Sequence, residues 1–219
     1  MKKSEIHNSR ELLVINKSAG EEVHNLAKKI SSFYTELKTL PRHGLAHRLD
    51  RETSGVLLFG KNREVLRLIK KKFKERKVKK KYFALVWRQI KKDQGEIKTV
   101  MRRGGDRRKH QSYPLTEEGR EATSRYEVLE RFEEHSLIEV IPITGRRHQI
   151  RSQFAYLGHP VAGDKLYGFK DQKNPKKIKR HFLHSKSIEL TLRKKRRKFA
   201  SDLPEDLREI IKTLKCQKN

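Results

Sequence analysis

Four apolar segments of strand length follow one another in the middle of the chain, joined by polar connections. They cover residues 82–87, 95–101, 124–129 and 136–143. Each segment contains β-branched or aromatic residues, which favour the pleated surface of a sheet. Strands that follow each other without an intervening helix usually pair antiparallel. This order therefore predicts a largely antiparallel or mixed sheet.

Other periodic segments predict helices around this sheet, and hence an α+β fold. In residues 21–37, Val23, Leu26 and Ile30 recur at helical spacing and give the segment one apolar face. Asn62 is suited to cap a second helix, lined by Val65, Ile69 and Phe73. Further helices are predicted at residues 145–157 and about 202–215, further strands at 12–16, 56–60 and 182–192, and a long basic loop at 101–119.

The charge of the chain indicates a polyanionic partner. In 219 residues, 55 Lys and Arg stand against 27 Asp and Glu, for a net charge of +28. Clusters of cations occur at residues 70–72, 79–81 and 193–198. Each cluster alone is typical of a solvated face, but together they favour nucleic acid, which such a field attracts at long range.

Several functional classes are excluded or disfavoured by what the sequence contains. The single cysteine, Cys216, excludes an intrachain disulfide framework and fits a reducing compartment. No segment has the apolar length of a membrane span or a secretion signal, so a cytoplasmic protein is expected. The histidines show no metal-ligand spacing, and no phosphate-binding glycine loop is present, so no metal or cofactor is predicted.

A single carboxylate stands among cations in the turn-rich segment HRLDRETSG, which begins at His47. Asp50 lies between Arg48 and Arg51, and nearby positive charge keeps a carboxylate ionised at neutral pH. An ionised carboxylate is what a nucleophile or a general base requires. We therefore predict an active-site loop at this position.

Three segments in the order of this chain resemble the motifs of the RluA-type RNA pseudouridine synthases. The segment HRLDRETSGVLLFGK (47–61) resembles the family's central motif, and KYFALV (81–86) resembles its K-x-Y-x-A-L-V strand. PITGRRHQIRSQFAYLGHPVAGDKLYG (142–168) is similar to the third motif. LVINKSAG (13–20) and FLHS (182–185) resemble the opening strand and a late segment. The resemblance thus covers nearly the whole chain.

This resemblance implies the pseudouridine-synthase fold, a mixed, largely antiparallel and bent sheet with helices and loops around a central cleft. It implies one catalytic domain over residues 1–219, with its motif-bearing core at about 12–192 and no small RNA-binding domain in front. The expected substrate is a uridine in a ribosomal or transfer RNA stem-loop. The reaction requires no cofactor, and we expect a monomer without an obligate protein partner.

The resemblance also assigns residues to roles. Asp50 matches the catalytic aspartate, Tyr82 the tyrosine that stacks on the target base, and Arg151 the arginine that pairs with the aspartate. Arg48 matches the position that enters the RNA where the base was. The further residues predicted to bind RNA are Arg51, Lys81, Arg146, Arg147 and His148.

The chain departs from the family pattern at two positions. Ser18 stands where relatives usually have proline, and Gln153 where they commonly have histidine. Neither change touches Asp50, Tyr82 or Arg151, so activity is still expected.

Two other functions fit part of the sequence. The basic composition also suits a catalytically idle RNA-binding or ribosome-assembly protein. A glycosidase that uses Asp50 with Glu52 is less suitable, because two carboxylates so close in one loop are a poor pair across a cleft.

Overall fold

The computed structural model describes residues 4–106 and 109–217. The chain forms two compact units, unit 1 with Met1–Lys80 and Ser185–Asp202, and unit 2 with Lys81–His184 and Leu203–Asn219. Compact units occur both as separate domains and as parts of one domain, so the single catalytic domain remains a prediction.

Strands and helices alternate irregularly along the described residues. In chain order they are β1 (Glu5–Asn8), β2 (Leu12–Lys17), α1 (Val23–Phe33), β3 (Ser54–Gly60), α2 (Arg63–Lys74), β4 (Val78–Trp87), β5 (Gln94–Arg103), β6 (His110–Tyr113), β7 (Arg120–Arg131), β8 (His135–Pro142), α3 (Gln149–Tyr156), β9 (Leu183–Leu192), β10 (Lys195–Ala200) and α4 (Glu205–Cys216). Short 3-10 segments follow α1 at Thr35–Leu37 and Pro41–Gly44. The predicted α+β class is confirmed.

Unit 1 is built on the neighbouring strands β1, β2, β3 and β9, with β10 paired to β9. The β1–β2, β2–β3 and β9–β10 pairs are antiparallel. β3 is buried along its whole length, as its apolar sequence predicts. Val23, Leu26 and Ile30 of α1 are buried, as predicted. The predicted helix 21–37 is too long, because Tyr34 leaves the helical conformation and the preceding Phe33 is exposed.

Helix α2 begins at the predicted cap. The Asn62 side chain accepts a hydrogen bond from the Val65 backbone N–H at 2.9 Å. Such a cap satisfies one of the free N–H groups of the first turn and contributes about 1 kcal/mol. Val65, Leu66 and Ile69 are buried, and the helix contacts β3. The opposite face of α2 is therefore left to solvent.

Unit 2 contains strands in the order β4-β8-β7-β5-β6, and each neighbouring pair is antiparallel. This arrangement confirms the largely antiparallel sheet. Ala84, Ile138, Val140 and Phe154 belong to one apolar cluster, which packs α3 against the sheet. Helix α4 packs its predicted apolar face in a second cluster with Phe132, Leu137 and Phe182.

Residues 101–119 do not form the long loop predicted from the sequence. Met101 pairs with Ser112, and Arg103 with His110, in an antiparallel β5–β6 pair. The sequence concealed β6 because only Ser112 of its four residues is buried. Residues 107–108 of this segment lie outside the described residues.

Helix α3 begins four residues later than predicted. His148 precedes it in the left-handed conformation, at φ 57° and ψ 19°. The predicted helix 145–157 would have placed Arg147 on the same face as Arg151, but Arg147 lies before the observed helix, so that expectation is wrong. The end of α3 at Tyr156 lies one residue from the predicted end at 157. Gly158 follows with φ 81°, a conformation that glycine adopts without strain after a helix.

None of the helices among residues 4–106 and 109–217 combines the length and apolarity that crossing a membrane would require.

Candidate active site

The loop that carries Asp50 follows a strained turn in unit 1. Arg42 and His43 both have positive φ angles, 55° and 51°. The loop is then attached to β3, because the Ala46 N–H donates to the Leu58 carbonyl at 3.0 Å. Within the loop, the Thr53 N–H donates to the Asp50 carbonyl at 3.1 Å. These bonds define the backbone on both sides of the Asp50 side chain, which is half-buried.

His47 has a structural role at the start of this loop. Its Nε2 accepts a hydrogen bond from the Leu58 N–H at 3.1 Å, and its ring stacks on Phe73 of α2 with centroids 4.9 Å apart. Removal from water, together with the charge of Lys80, lowers the pKa of His47 well below its usual range. The ring is therefore neutral at physiological pH and attaches the loop to both β3 and α2.

A buried lysine connects this loop to the turn after β2. The ammonium of Lys17 is almost completely buried and donates to the carbonyls of Ser18, Glu21 and Arg51, at 2.7, 2.9 and 2.9 Å. Three charge-assisted bonds compensate the lost hydration of the ammonium. Since Ser18 acts through its backbone carbonyl, its replacement of proline removes none of these bonds.

Arg51 and Gly20 reinforce the same connection. The Gly20 N–H donates to the Arg51 carbonyl at 3.0 Å, and the Arg51 side chain returns a bond from Nε to the Gly20 carbonyl at 2.9 Å. Arg48 is exposed on the other side of Asp50. The structure thus brings Arg48, Asp50 and Arg51 together in one loop, with Arg51 partly engaged in holding it.

A glycine ends the loop where no side chain fits. Gly55 has φ 111°, and a Cβ atom built on it would lie 2.3 Å from the Ser185 carbonyl oxygen. This distance is far below van der Waals contact. The G in the motif HRLDRETSG is therefore required for close approach of β3 and β9.

Tyr82 and Lys81 lie in unit 2 on β4. Tyr82 pairs with Val140 of β8, is half-buried and packs against the apolar cluster of that unit. Lys81 forms an ion pair with Glu139 at 2.5 Å. The charge that was predicted to bind RNA at Lys81 is therefore partly compensated within the protein.

Arg151 is buried in unit 2 and bound by a carboxylate. Its Nε and Nη2 donate to the two carboxylate oxygens of Asp164, at 2.6 and 2.8 Å. Burial alone would raise the pKa of Asp164, but the hydrogen bonds and charge of Arg151 outweigh this effect and hold it below its usual range. Asp164 also accepts the backbone N–H groups of Leu166 and Tyr167. Arg151 is thus held in one orientation by a carboxylate that is itself fixed.

Tyr167 extends this arrangement to the start of α3. Its ring lies 5.1 Å from the Arg151 guanidinium, and its hydroxyl is 3.0 Å from Nδ1 of His148. The hydroxyl also donates to the His110 carbonyl and accepts the His110 N–H. His148, predicted to bind RNA, therefore has a partner inside unit 2. In the described part of the chain, no group of His, Cys, Asp and Glu is suited to holding a metal ion.

Two glutamines attach α3 to the sheet. Gln153 is completely buried; its amide donates to the Ala122 carbonyl at 2.9 Å and to Thr99 Oγ1 at 3.1 Å, while its oxygen accepts the Ser124 hydroxyl at 2.7 Å. Gln149, one turn earlier, donates to the same Ser124 hydroxyl at 2.9 Å. These bonds cross to β5 and β7 and set the position of the helix that carries Arg151.

The two arginines before α3 differ in their surroundings. Arg146 is half-buried and its Nε donates to the Glu121 carbonyl at 3.0 Å. Arg147 is exposed. Arg147 is the more accessible of the two for contact with RNA.

Sequence reasoning did not identify Lys17, Asp164 and Tyr167 as residues that hold the site. All three lie inside segments already recognised, in NKSAG and GDKLYG. A buried Arg requires a carboxylate partner, and Asp164 is an acidic residue of the same motif as Arg151. The need of a buried arginine for a carboxylate was therefore the signal that could have identified Asp164 from the sequence.

The matched family model is described as RNA pseudouridylate synthase, and it covers residues 11–156. Among curated proteins, the chain is 40% identical over 171 residues to an uncharacterized RNA pseudouridine synthase of Aquifex aeolicus, covering 76% of this chain and 54% of that protein. It is 34% identical over 199 residues to the ribosomal large subunit pseudouridine synthase C of Vibrio parahaemolyticus, covering 84% and 59%. The chain thus spans little more than half the length of these relatives.

A solved structure supports the fold. Human RNA Pseudouridylate Synthase Domain Containing 4 matches with a TM-score of 0.79 at 23% identity, over 98% of this chain and 94% of that one. The predicted pseudouridine-synthase fold is therefore confirmed. The chain belongs to the RNA pseudouridylate synthase family, as the RluA-type motifs predicted.

Proposed function

We propose that this protein is an RNA pseudouridine synthase that converts a uridine of structured RNA to pseudouridine. The observation that carries the proposal is the family match over residues 11–156, a span that includes Asp50, Tyr82 and Arg151. Ribosomal RNA is the favoured substrate class, because relatives such as that of Vibrio parahaemolyticus are named for the large ribosomal subunit. Transfer RNA is the alternative. A cytoplasmic location follows from this proposal.

The reaction breaks the C1′–N1 bond, turns the uracil and joins it to the sugar through C5, while the proton on C5 is lost and N1 gains one. The atoms of substrate and product are the same, so no cofactor or energy source is consumed. Asp50 is the proposed catalytic residue, either by attack on the sugar or by removal of a proton from it. Its attachment through Lys17 and Thr53 supports this role, because a nucleophile or base must be held within a fraction of an ångström.

Tyr82 and Arg151 are proposed to act with Asp50. Tyr82 would stack on the turned-out uracil, and its hydroxyl would assist removal of the proton from C5. Arg151 would orient the Asp50 carboxylate. A guanidinium has five N–H donors in one plane, and Asp164 occupies two, at Nε and Nη2. The rigid hold of Asp164 on Arg151 supports an orienting role.

The target uridine must leave its stack before any atom of it can react, which costs a few kcal/mol. Arg48 is proposed to enter the RNA in its place, and its exposed position in the Asp50 loop supports this. Arg51, Lys81, Arg146, Arg147 and His148 are proposed to contact the RNA around it. Arg147 is the strongest of these, because it is exposed and its side chain forms no ion pair or hydrogen bond with the described residues.

Replacing Asp50 with asparagine tests the function. We expect pseudouridine formation to fall by at least about a hundredfold, since the anion is lost while the shape is kept. The measurement is carbodiimide mapping of pseudouridine in total RNA, from cells that lack the protein and are complemented with wild type or Asp50→Asn. The site that returns only with wild type identifies the substrate RNA.

Glu52→Gln is the matched control, because it removes the other carboxylate of the same loop. We expect it to retain activity. Release of free uracil by wild type, lost in Glu52→Gln, would instead indicate a glycosidase. An RNA map that is identical with and without the protein would contradict the proposed function and favour an idle RNA-binding protein.

A further inference from the structure

The solvent face of α2 carries a groove with a volume of about 770 Å³ in unit 1. Its charged lining consists of Arg63, Arg67, Lys70, Lys71, Lys74 and Glu75. The five cations follow the helical repeat, so they form one row opposite the buried face of the helix. At 1.5 Å per residue, the row extends over about 16 Å, enough to meet several phosphates of a nucleic acid strand.

These cations have few carboxylates to compensate them. No ion pair or side-chain hydrogen bond is formed by Arg63, Arg67, Lys70 or Lys74 with any of the described residues. Lys71 lies 3.8 Å from Glu75, and the same carboxylate is 3.1 Å from Lys77. Like charges one turn apart destabilise an isolated helix. The row therefore has electrostatic repulsion that a bound anion would relieve.

Helix α4 provides a comparison within the same protein. On α4, Lys212 and Lys215 pair with Glu209 and Glu130 at 2.8 and 3.1 Å, and Arg208 pairs with Glu205. Both helices contain exposed cations, but those of α4 are neutralised by neighbours. Only the α2 row is left with a concentrated positive charge in this comparison.

The floor and rim of the groove favour RNA as its occupant. Pro41, which is exposed, adds apolar surface beside the cations, suited to contact with ribose or an unstacked base. Lys70 is half-buried, and burial together with the charge of Arg42 lowers its pKa. A phosphate placed there would compensate for the hydration that the Lys70 ammonium has lost. It would also reduce the repulsion between Lys70 and Arg42.

The groove is also tied to the catalytic loop within unit 1. His47 stacks on Phe73 of α2, and Pro41 begins the turn that leads into the loop. RNA bound along α2 would therefore be held at a defined position relative to Asp50. We propose that this groove is a second RNA-binding surface, which binds phosphates of the substrate outside the target nucleotide and helps select which uridine reaches Asp50. The inference rests on the proposed function.

The test compares two triple variants with the same change in charge. Arg67→Gln/Lys70→Gln/Lys74→Gln alters the groove, and Arg208→Gln/Lys212→Gln/Lys215→Gln alters α4. The Kd for an unmodified transcript of large-subunit ribosomal RNA is measured over a series of KCl concentrations. For the groove variant we expect a Kd about tenfold higher near physiological salt and a salt slope lower by about 2, whereas the α4 variant stays within about twofold of wild type.

A second measurement separates binding from chemistry. In single-turnover assays at saturating RNA, the groove variant should form pseudouridine at the wild-type rate, with a higher RNA concentration needed for half-saturation.

If the triple variant does not fold, Arg67→Gln is compared with Arg208→Gln, with an expected increase in Kd of about two- to threefold for the groove change alone.

Equal weakening by both triple variants would overturn the inference, because it would reflect net charge alone. An unchanged Kd in the groove variant would also overturn it and direct attention to an acidic protein as the occupant. Failure of the proposed function is distinguishable from both outcomes, since wild-type protein would then bind RNA without forming pseudouridine.

Discussion

At the residue scale, Lys17 shows how a buried charged side chain stabilises the loop that carries Asp50. Its ammonium is buried and donates to three carbonyls, one of which belongs to Arg51, the neighbour of Asp50. A buried carbonyl that loses its donor costs about 1–3 kcal/mol. Lys17 therefore affects both the stability of unit 1 and the position of Asp50.

Replacing Lys17 with methionine keeps much of its volume but removes all three bonds. We expect the free energy of unfolding to fall by about 3 kcal/mol, measured by urea denaturation, and pseudouridine formation to fall with it. Lys38→Met is the control, since Lys38 is exposed and its side chain forms no bond with any described residue. Equal urea midpoints for the Lys17 variant and wild type would contradict the structural role.

A second prediction at the residue scale concerns Asp164 and the pH dependence of the free energy of unfolding. Its pKa in the folded protein lies below the ordinary value because of Arg151, so its ionisation stabilises the fold above the unfolded pKa of about 4. That contribution is lost as the pH falls through the lower, folded pKa. We expect Asp164→Asn to lower the free energy of unfolding by about 3–5 kcal/mol at pH 7, because it leaves Arg151 without its carboxylate.

The difference between wild type and Asp164→Asn should become smaller as the pH is lowered below about 4, in urea denaturation repeated over a pH series. Asp171→Asn, on an exposed residue, serves as the control and should follow wild type at every pH. A difference that does not change between pH 7 and pH 3 would show that the charge of Asp164 is not what stabilises the fold.

At the scale of elements, α3 is the helix whose surroundings matter most for the site. Gln149 to Phe154 are six consecutive buried residues, and they include Arg151. A helix buried on all sides must satisfy its polar groups internally. Gln149 and Gln153 do so by binding Ser124, which lies on β7, and Gln153 stands where relatives commonly have histidine. The substitution is therefore compatible with a fully bonded helix.

Gln153→Leu tests whether these bonds position α3. Leucine has no polar atoms, so Ser124, Thr99 and the Ala122 carbonyl each lose a partner, and we expect a loss of about 2–4 kcal/mol in urea denaturation. Activity per folded molecule should fall as well, because Arg151 moves with the helix. Gln153→His should cost less, since an imidazole keeps one donor or acceptor. Gln94→Leu, on an exposed strand residue, is the control.

If Gln153→Leu lowered stability but left the activity of the folded protein unchanged, the network would support the fold alone. In that case Arg151 would be held by Asp164 without help from the position of α3.

At the scale of the whole molecule, the three cationic clusters in the sequence have different fates. In the cluster 193–198, Arg193 is bound by Glu11 and Glu64, and Arg196 by Glu189. Lys80 is buried, and its burial lowers its pKa to about 8, while Lys81 is paired with Glu139. Lys194, Lys195, Arg197 and Lys198 form no ion pair with the described residues, and on α2 Lys71 pairs with Glu75 while Lys70 does not. The net charge of +28 is therefore compensated to different extents on different surfaces.

The positions of most elements could be predicted because they depend on local patterns. The Asn62 cap, the buried β3 and the apolar face of α4 are each determined by residues a few positions apart. Strand β6 could not be predicted, since its four residues are mostly polar and become a strand through pairing with β5. The late start of α3 was also hidden, because the left-handed backbone of His148, whose ring contacts Tyr167, has no signal in the neighbouring sequence.

The sequence by itself determined the family, the order of the elements and the identity of Asp50, Tyr82 and Arg151 as candidates, because motifs are contiguous. Only the tertiary structure decided which charges are neutralised. The ammonium of Lys17 found carbonyls, Arg151 found Asp164, and the α2 row found almost no carboxylate. Ion pairing depends on distances of a few ångströms between segments remote in sequence, and those distances exist only after folding.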